Sequence, residues 1–149
     1  MNLFGMMQLS GTALQAERIR AEVVAANMAN ADTTRTEDGG PYRRQHVVFS
    51  ATPMEQSPFG KTFAEQMDGG QGVEGVEVSA VTADSGAPLS RYEPGHPDAD
   101  SSGYVNFPDI NPMTEMVDLM GATRAYGMNG SAVQAEKSMI TSALEIAKT

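Results

Sequence analysis

The sequence contains no cysteine, no tryptophan and only two histidines, His46 and His96. Without cysteine the chain can form no disulfide, no thiolate nucleophile and no cysteine-based metal site. It also lacks the glycine-rich phosphate-binding, nucleophile-elbow and metalloprotease motifs of common enzyme classes. Because no nucleophile with a neighbouring base can be assembled from these residues, the sequence predicts neither an enzyme nor a cofactor.

Positive charge is scarce, with ten Lys and Arg against nineteen Asp and Glu and a net charge of −9. Residues 53–110 carry two positive and ten negative groups, whereas residues 1–52 carry five of each and residues 111–149 carry three positive and four negative. No basic stripe could neutralise phosphates, so no nucleic-acid partner is expected. Near-neutral ends around an acidic middle predict a solvated outer part and ends that can pack on like neighbours.

Long hydrophobic runs are absent as well. No apolar run approaches the roughly 20 residues that cross a bilayer, so no direct membrane insertion is expected. The first fifteen residues lack the positive start and continuous apolar segment of a cleaved secretory signal. Export, if it occurs, is therefore expected to proceed without a cleaved signal peptide. The 149 residues are enough for one domain with a modest core.

The N-terminal segment, residues 1–34, predicts a long helix from about Leu3 to Ala31. Its many small side chains would let another helix approach closely. Short polar residues at 32–34 compete for backbone hydrogen bonds and should end the helix there. Four expected packing positions recur every seven residues: Met7, Leu14, Ala21 and Met28.

The C-terminal segment, residues 111–149, predicts a second and longer helix. Asn111 suits the N-cap and Pro112 suits the first helical position. Each interior glycine costs about 1 kcal/mol relative to alanine, and the Gly-Met-Asn-Gly segment at 127–130 puts an unbroken helix in question. The expected packing positions are Met116, Leu119, Tyr126, Val133, Ile140 and Leu144.

Between the helices, residues 35–110 form a region rich in Gly, Pro and Asp with β character. Strands are predicted for Tyr42–Ala51, Val76–Asp84 and Ala87–Pro94, and a flexible loop for residues 53–75. The sequence thus predicts an α+β fold, in which long N- and C-terminal helices pair as a coiled-coil-like bundle beside a small β-rich middle domain.

This β region is too small to cover both helices, so the ends of the chain are expected to serve assembly. Asn27 and Asn30 lie among small apolar residues on the first helix. We expect these amides to become buried only in an assembly, where they would bond to neighbouring chains.

Two polar segments could hold ions. In residues 98–109 the positions of a calcium-binding loop are filled by oxygen-bearing side chains, but Asp109 replaces the usual bidentate Glu. The alternative is a polar loop whose carboxylates bond to their own backbone. Gly39-Gly40-Pro41 could form an anion nest, although a turn is favoured, with Arg43 and Arg44 pairing with the acidic middle.

Three stretches resemble a known family. SGTALQAERIRAEVVAANMANADTT, with its N-x-A-N core at Asn27 to Asn30, is similar to the terminal signature of flagellar rod and hook proteins. GGPYRRQHVVF and YEPGHPDADSSGYVNFPDINPMTEMVDLM resemble more narrowly the flagellar basal-body rod protein family, and within it the proximal rod. Together these stretches cover about half of the chain.

The resemblance implies a structural axial subunit whose terminal helices polymerise into a hollow rod that transmits torque and lines the export channel. The implied partners are other copies of itself, other rod and basal-body proteins, the junction protein at the base of the rod, and the flagellar type III export apparatus. The implied location is the periplasmic rod of the basal body. Two alternatives stay open: a monomeric helical-hairpin adaptor or export chaperone, and a calcium-binding or hydrolytic domain built on His96, Asp98 and Asp100.

Overall fold

The computed structural model describes residues 3–37, 39–53 and 74–148. Within these residues there are two long helices, one near each end of the chain, and four strands between them, and this arrangement confirms the predicted α+β class. The predicted flexible loop lies outside the described residues except at its ends, which belong to strands. In chain order the elements are α1 (Leu3–Ala29), β1 (Gln45–Pro53), β2 (Glu74–Ala83), β3 (Leu89–Tyr92), β4 (Tyr104–Phe107) and α2 (Pro112–Ile146).

Helix α1 ends at Ala29, two residues earlier than the sequence predicts. The side chain of Asn30 donates a hydrogen bond to the carbonyl of Ala26 at 2.9 Å, and its backbone N–H donates to the same carbonyl at 3.1 Å. The hydroxyl of Thr33 donates to the Asn30 side chain at 3.2 Å. Short polar side chains therefore close the last turn, as expected, but begin to do so at Asn30.

Helix α2 begins as predicted, because the Asn111 side chain accepts a hydrogen bond from the backbone N–H of Met113 at 3.0 Å and Pro112 opens the helix. The helix then continues unbroken to Ile146. The segment at 127–130, which left the continuity of the helix open in the sequence, therefore does not break it. Each glycine costs only about 1 kcal/mol, which is small beside the packing available to a helix of 35 residues.

Strands β1 and β2 form an antiparallel hairpin in which Gln45 lies opposite Ala83 and Pro53 lies opposite Glu74. The register shifts between Val48 and Phe49, and this bulge bends the hairpin. The sequence placed the start of β1 at Tyr42. Instead, the N–H of Tyr42 donates to the carbonyl of Thr33 at 3.0 Å, so this residue is held beside the end of α1.

Strands β3 and β4 form a second antiparallel hairpin, with Tyr92 opposite Tyr104. Strand β4 was not predicted. It alternates regularly, because Val105 and Phe107 are buried whereas Tyr104 and Asn106 are exposed. Strand β3 is shorter than predicted, since the prolines that flank it cannot donate hydrogen bonds to a ladder.

Among the described residues, buried apolar side chains are few, and those on the two helices are Ala and Val. The helices contribute Ala16, Val24 and Ala122, and the stretch from β4 to the start of α2 contributes Val105, Phe107 and Ile110. No helix in the described part of the chain is long and apolar enough to span a membrane. Stability must therefore come from close helix approach and specific polar contacts more than from a large core.

Candidate functional site: the paired terminal helices

The two terminal helices pack against each other in antiparallel orientation. The amide of Asn27 on α1 lies 3.1 Å from a carboxylate oxygen of Glu115 on α2. Earlier on α1, the guanidinium of Arg20 lies 3.7 Å from Asp118, which is later on α2. Since the contacts move backward along one helix and forward along the other, the ends of the chain form a helical hairpin.

Small residues line the face where the helices meet. Ala122 is completely buried and Ala16 is 3% exposed. On α2 the buried residues Glu115, Ala122 and Glu136 are separated by multiples of seven positions, as expected for one face of a paired helix. The predicted close approach is therefore present, and the partner is the other helix of the same chain.

Asn27 is buried where α1, α2 and β1 meet. Its side-chain nitrogen donates to Glu115 at 3.1 Å and to the carbonyl of Gln45 at 2.9 Å. Its side-chain oxygen accepts from the backbone N–H of Gln45 at 2.9 Å and from the hydroxyl of Tyr42 at 3.2 Å. At 1% exposure, every bond of this amide is made within the chain.

Glu115 is as deeply buried as Asn27, and Arg44 balances its charge. The Nε and Nη2 atoms of Arg44 lie 2.6 and 2.5 Å from the same carboxylate oxygen. Arg44 also approaches Asp118 at 3.7 Å. A buried carboxylate is stable only with such a cation and further hydrogen bonds. Arg44 therefore pairs with α2, which corrects the expectation that it pairs with the acidic middle region.

Tyr42 responds to the same environment. Burial of its hydroxyl, and secondarily the negative charge of Glu115, raise the pKa of Tyr42 above its ordinary value. Both effects disfavour the phenolate. We call Asn27, Tyr42, Arg44, Gln45 and Glu115 the polar junction.

The junction corrects an expectation drawn from the sequence. Asn27 was expected to stay unburied until assembly, but it is buried within the single chain by residues up to 88 positions away. Asn30 is half-buried and its side chain bonds to Ala26 and Thr33, so it closes α1. Neither amide lies on an open surface in the way that the sequence indicated.

A stripe of large apolar side chains lies on the other side of α2. Met113, Met116, Val117 and Met120 recur at helical spacing and are between 48% and 71% exposed. With 100° between successive residues, these four lie on a face turned away from Glu115 and Ala122. We call them the methionine stripe. Exposed apolar patches of this kind mark interaction surfaces.

The predicted packing positions divide between inner and outer surfaces. Most are half-buried, three on α2 are exposed, and Asn27 alone is fully buried. The half-buried positions are Met7, Leu14, Ala21, Met28, Asn30, Leu119, Val133 and Ile140, and the exposed positions are Met116, Tyr126 and Leu144. Sequence reasoning did not place Tyr42, Arg44, Gln45 or Glu115 in a common site. One signal for the buried position of Glu115 is its seven-residue spacing from Ala122.

Two carboxylates of the segment resembling a calcium-binding loop already accept hydrogen bonds from protein groups. Asp100 accepts hydrogen bonds from the backbone N–H groups of Ser102 at 2.8 Å and Tyr104 at 2.9 Å. Asp98 accepts from the hydroxyl of Thr34 at 2.7 Å. Asp100 thus bonds to its own backbone, as the alternative interpretation predicted. Among the described residues no group of three His, Cys, Asp or Glu side chains is placed to hold a metal ion.

The remaining candidate positions from the sequence are His46 and the pair Gly39-Gly40. His46 lies on β1 with its Nε2 atom 3.6 Å from Asp84. A hydrogen bond from the backbone N–H of Gly86, with a smaller contribution from His46, lowers the pKa of Asp84. Gly39 and Gly40 both have positive φ angles, of 82° and 84°, which fits the favoured turn.

Comparison with known families places both helices in one class. A model described as "Flagella basal body rod protein" matches residues 7–35. A second, described as "Flagellar basal body rod FlgEFG protein C-terminal", matches residues 101–146. The matched stretches contain most of α1 and all of α2, so the paired helices are those of flagellar basal-body rod proteins.

Full-length relatives show which family of basal-body rod proteins the chain resembles. The flagellar basal-body rod protein FlgC of Borreliella burgdorferi is 40% identical, over 98% of this chain and 98% of that protein. The FlgC proteins of Bacillus subtilis and Salmonella typhimurium are 40% and 36% identical, over 99% and 98% of this chain and 100% and 98% of their own lengths. The chain belongs to the FlgC family of flagellar basal-body rod proteins. It is a structural subunit of the rod, and this membership favours a structural part over an adaptor or a hydrolase.

Proposed function

We propose that the chain polymerises through its terminal helices into the proximal rod, where it helps to transmit torque and to line the export channel. The observation that carries this proposal is the methionine stripe, which remains exposed after α1 and α2 have paired. A single chain offers nothing in its described part to cover these side chains. Methionine is flexible and polarisable, so it suits shallow contacts with several neighbours.

The proposed division of labour follows the predicted segments. Residues 1–34 and 111–149 form the assembly hairpin, and residues 35–110 face outward. The concentration of negative charge in the middle supports this orientation, because like charges are better tolerated in solvent than between packed subunits. The interface positions predicted from sequence that remain exposed, Met116, Tyr126 and Leu144, belong to the surface that neighbours would cover.

The export route, the location and the partners are proposed from membership of the FlgC family. The subunit passes through the flagellar type III export apparatus without a cleaved signal peptide and assembles in the periplasm. Its partners are other copies of itself, other rod proteins and the junction protein at the base. Its part there is structural rather than catalytic. The mass of the N-terminal peptide from purified basal bodies would test the export route, since a shortened N-terminus beyond Met1 would contradict it.

The stripe is tested by adding charge to it. Met116→Glu places a carboxylate in the centre of the methionine stripe, and Thr114→Glu places the same charge on an exposed neighbouring position outside it. In a strain lacking its own copy, we expect Met116→Glu to abolish motility and rod assembly while the protein is still exported. Thr114→Glu should support motility. Normal motility with Met116→Glu would overturn the proposed interface.

A further inference from the structure

The apolar part of the α1–α2 contact specifies helix alignment poorly. Among the described residues of the two helices, the most buried apolar side chains are the small ones of Ala16 and Ala122, and no large apolar side chain is fully buried. Small residues let helices approach closely, but they offer little resistance when one helix slides along the other. Alignment in such a pair must therefore be set by another feature.

The polar junction supplies that feature. All hydrogen-bonding capacity of the Asn27 side chain is used by three partners at 2.9 to 3.2 Å. Arg44 fixes the second oxygen of Glu115. A slide of one helical turn would move Glu115 about 5.4 Å from Asn27. Both side chains are 1% exposed, so each would then be buried without its partner.

We propose that the junction sets the register of the helical hairpin, with Asn27 and Glu115 as positioning residues. One polar contact at a defined height excludes other alignments, as a single buried polar residue does in coiled coils. Arg44 and Gln45 connect the same position along the helix axis to the start of β1. The β region is therefore aligned with the helices by the same contact. This inference concerns the single chain and is independent of rod assembly.

The test exploits the absence of native cysteine, because an introduced pair is unambiguous. Counted from the Asn27–Glu115 and Arg20–Asp118 contacts, the position opposite Ala16 lies between residues 122 and 126 of α2. Ala16→Cys is therefore combined in turn with Ala122→Cys and with Ala125→Cys, two positions about one turn apart, and the pair that cross-links faster in the native background reports the native register. The readout is the ratio of the two cross-linking rates, faster pair over slower pair, in the full-length protein under mild oxidation. In the native background this ratio should be about tenfold.

Asn27→Asp places a second carboxylate against Glu115 and should reduce the ratio to about one. Adding Glu115→Gln removes the repulsion and supplies an amide donor, and should restore most of the preference. Glu136→Gln changes another buried carboxylate on the same face of α2 and should leave the ratio unchanged. A general loss of stability would slow or accelerate both pairs together, whereas loss of register changes their ratio.

An unchanged ratio in Asn27→Asp, with helix content retained by circular dichroism, would overturn the proposal. So would failure of Glu115→Gln to restore the preference. If Asn27→Asp does not fold, Glu115→Gln alone carries the test, because it keeps the shape of the side chain and weakens its contact with Arg44. It must lower the ratio at least threefold, about 0.6 kcal/mol, and a smaller change would overturn the inference.

Discussion

At the scale of single residues, Asn27 joins three segments that are far apart in sequence. A primary amide has two donors and an acceptor with two lone pairs, and Asn27 uses them toward Tyr42, Gln45 and Glu115. Neither aspartate nor leucine could do the same, since one lacks the donors and the other lacks all polar atoms. An amide on a packing face is therefore explained within the chain itself.

Tyr42 should make the fold sensitive to alkali. Because burial and the charge of Glu115 raise the pKa of Tyr42, its contribution to stability is complete below the ordinary pKa of 10.0 and is lost as pH rises through the raised pKa. Urea unfolding between pH 8 and pH 11 should show this loss. Tyr42→Phe should lower stability by about 1 kcal/mol at pH 8, through the lost hydrogen bond to Asn27, and flatten the alkaline decline.

The control for this prediction is Tyr92→Phe, since Tyr92 is 65% exposed. This variant should keep the alkaline decline of the parent. If Tyr42→Phe and Tyr92→Phe decline equally, the hydroxyl of Tyr42 is not responsible.

The sequence identified the amides of Asn27 and Asn30 as unusual, but it did not predict their hydrogen-bond partners. A small apolar neighbourhood identifies Asn27 as unusual, whereas its bond to Glu115 spans 88 positions and depends on how the helices align. Arg44 was assigned to the acidic middle because most of the negative charge lies there. A short-range contact with two carboxylates on α2 prevails over that long-range average, since screening in water limits attraction to about one Debye length.

At the scale of elements, local signals located both helices and three of the four strands. The N-cap at Asn111 could be predicted because it needs only one side chain and the following proline. Strand β4 was missed because Tyr104–Phe107 is short and lies inside the stretch that resembles a calcium-binding loop. The continuity of α2 could not be predicted either, since glycine propensity is a local cost and helix packing is not.

The glycines of α2 provide a test at this scale. Apart from its chain neighbours and the nearby backbone of its own helix, a methyl group added at Gly127 would meet no atom within 4 Å in the described structure. Gly127→Ala should therefore stabilise the isolated subunit by about 1 kcal/mol, a rise of about 2 to 4 °C in melting temperature. Thermal unfolding by circular dichroism measures this.

Gly103→Ala is the matched control, with the opposite expected effect on melting temperature. Gly103 has a φ of +81° and an added methyl group would lie 2.9 Å from the ring of Tyr92, so this variant should melt at a lower temperature. A melting temperature for Gly127→Ala below that of the parent would contradict the open space seen at that position.

At the scale of the whole molecule, the first and last segments of the chain depend on each other. Helix α1 contributes 27 residues and α2 contributes 35, and their buried residues face one another. A chain ending at residue 110 should lose more helix signal than α2 alone accounts for, because α1 would lose the partner of its packing face. The signal at 222 nm measures this loss.

Adding a peptide of residues 111–149 should restore the helix signal of the shortened chain. The same peptide with Glu115→Ala should restore less, because Asn27 and Arg44 would remain without their partner. A shortened chain that keeps the full signal of a 27-residue helix would show that α1 is stable by itself.

The antiparallel pairing has an electrical consequence. Every helix carries about half a positive elementary charge at its N-terminal end and half a negative charge at its C-terminal end. The end of α1 at Ala29 lies beside the start of α2 at Pro112, so opposite partial charges adjoin and largely cancel. Many such hairpins stacked side by side would accumulate almost no axial field from their backbones. The electrostatic potential along such a stack would then be set by the side chains that each copy exposes.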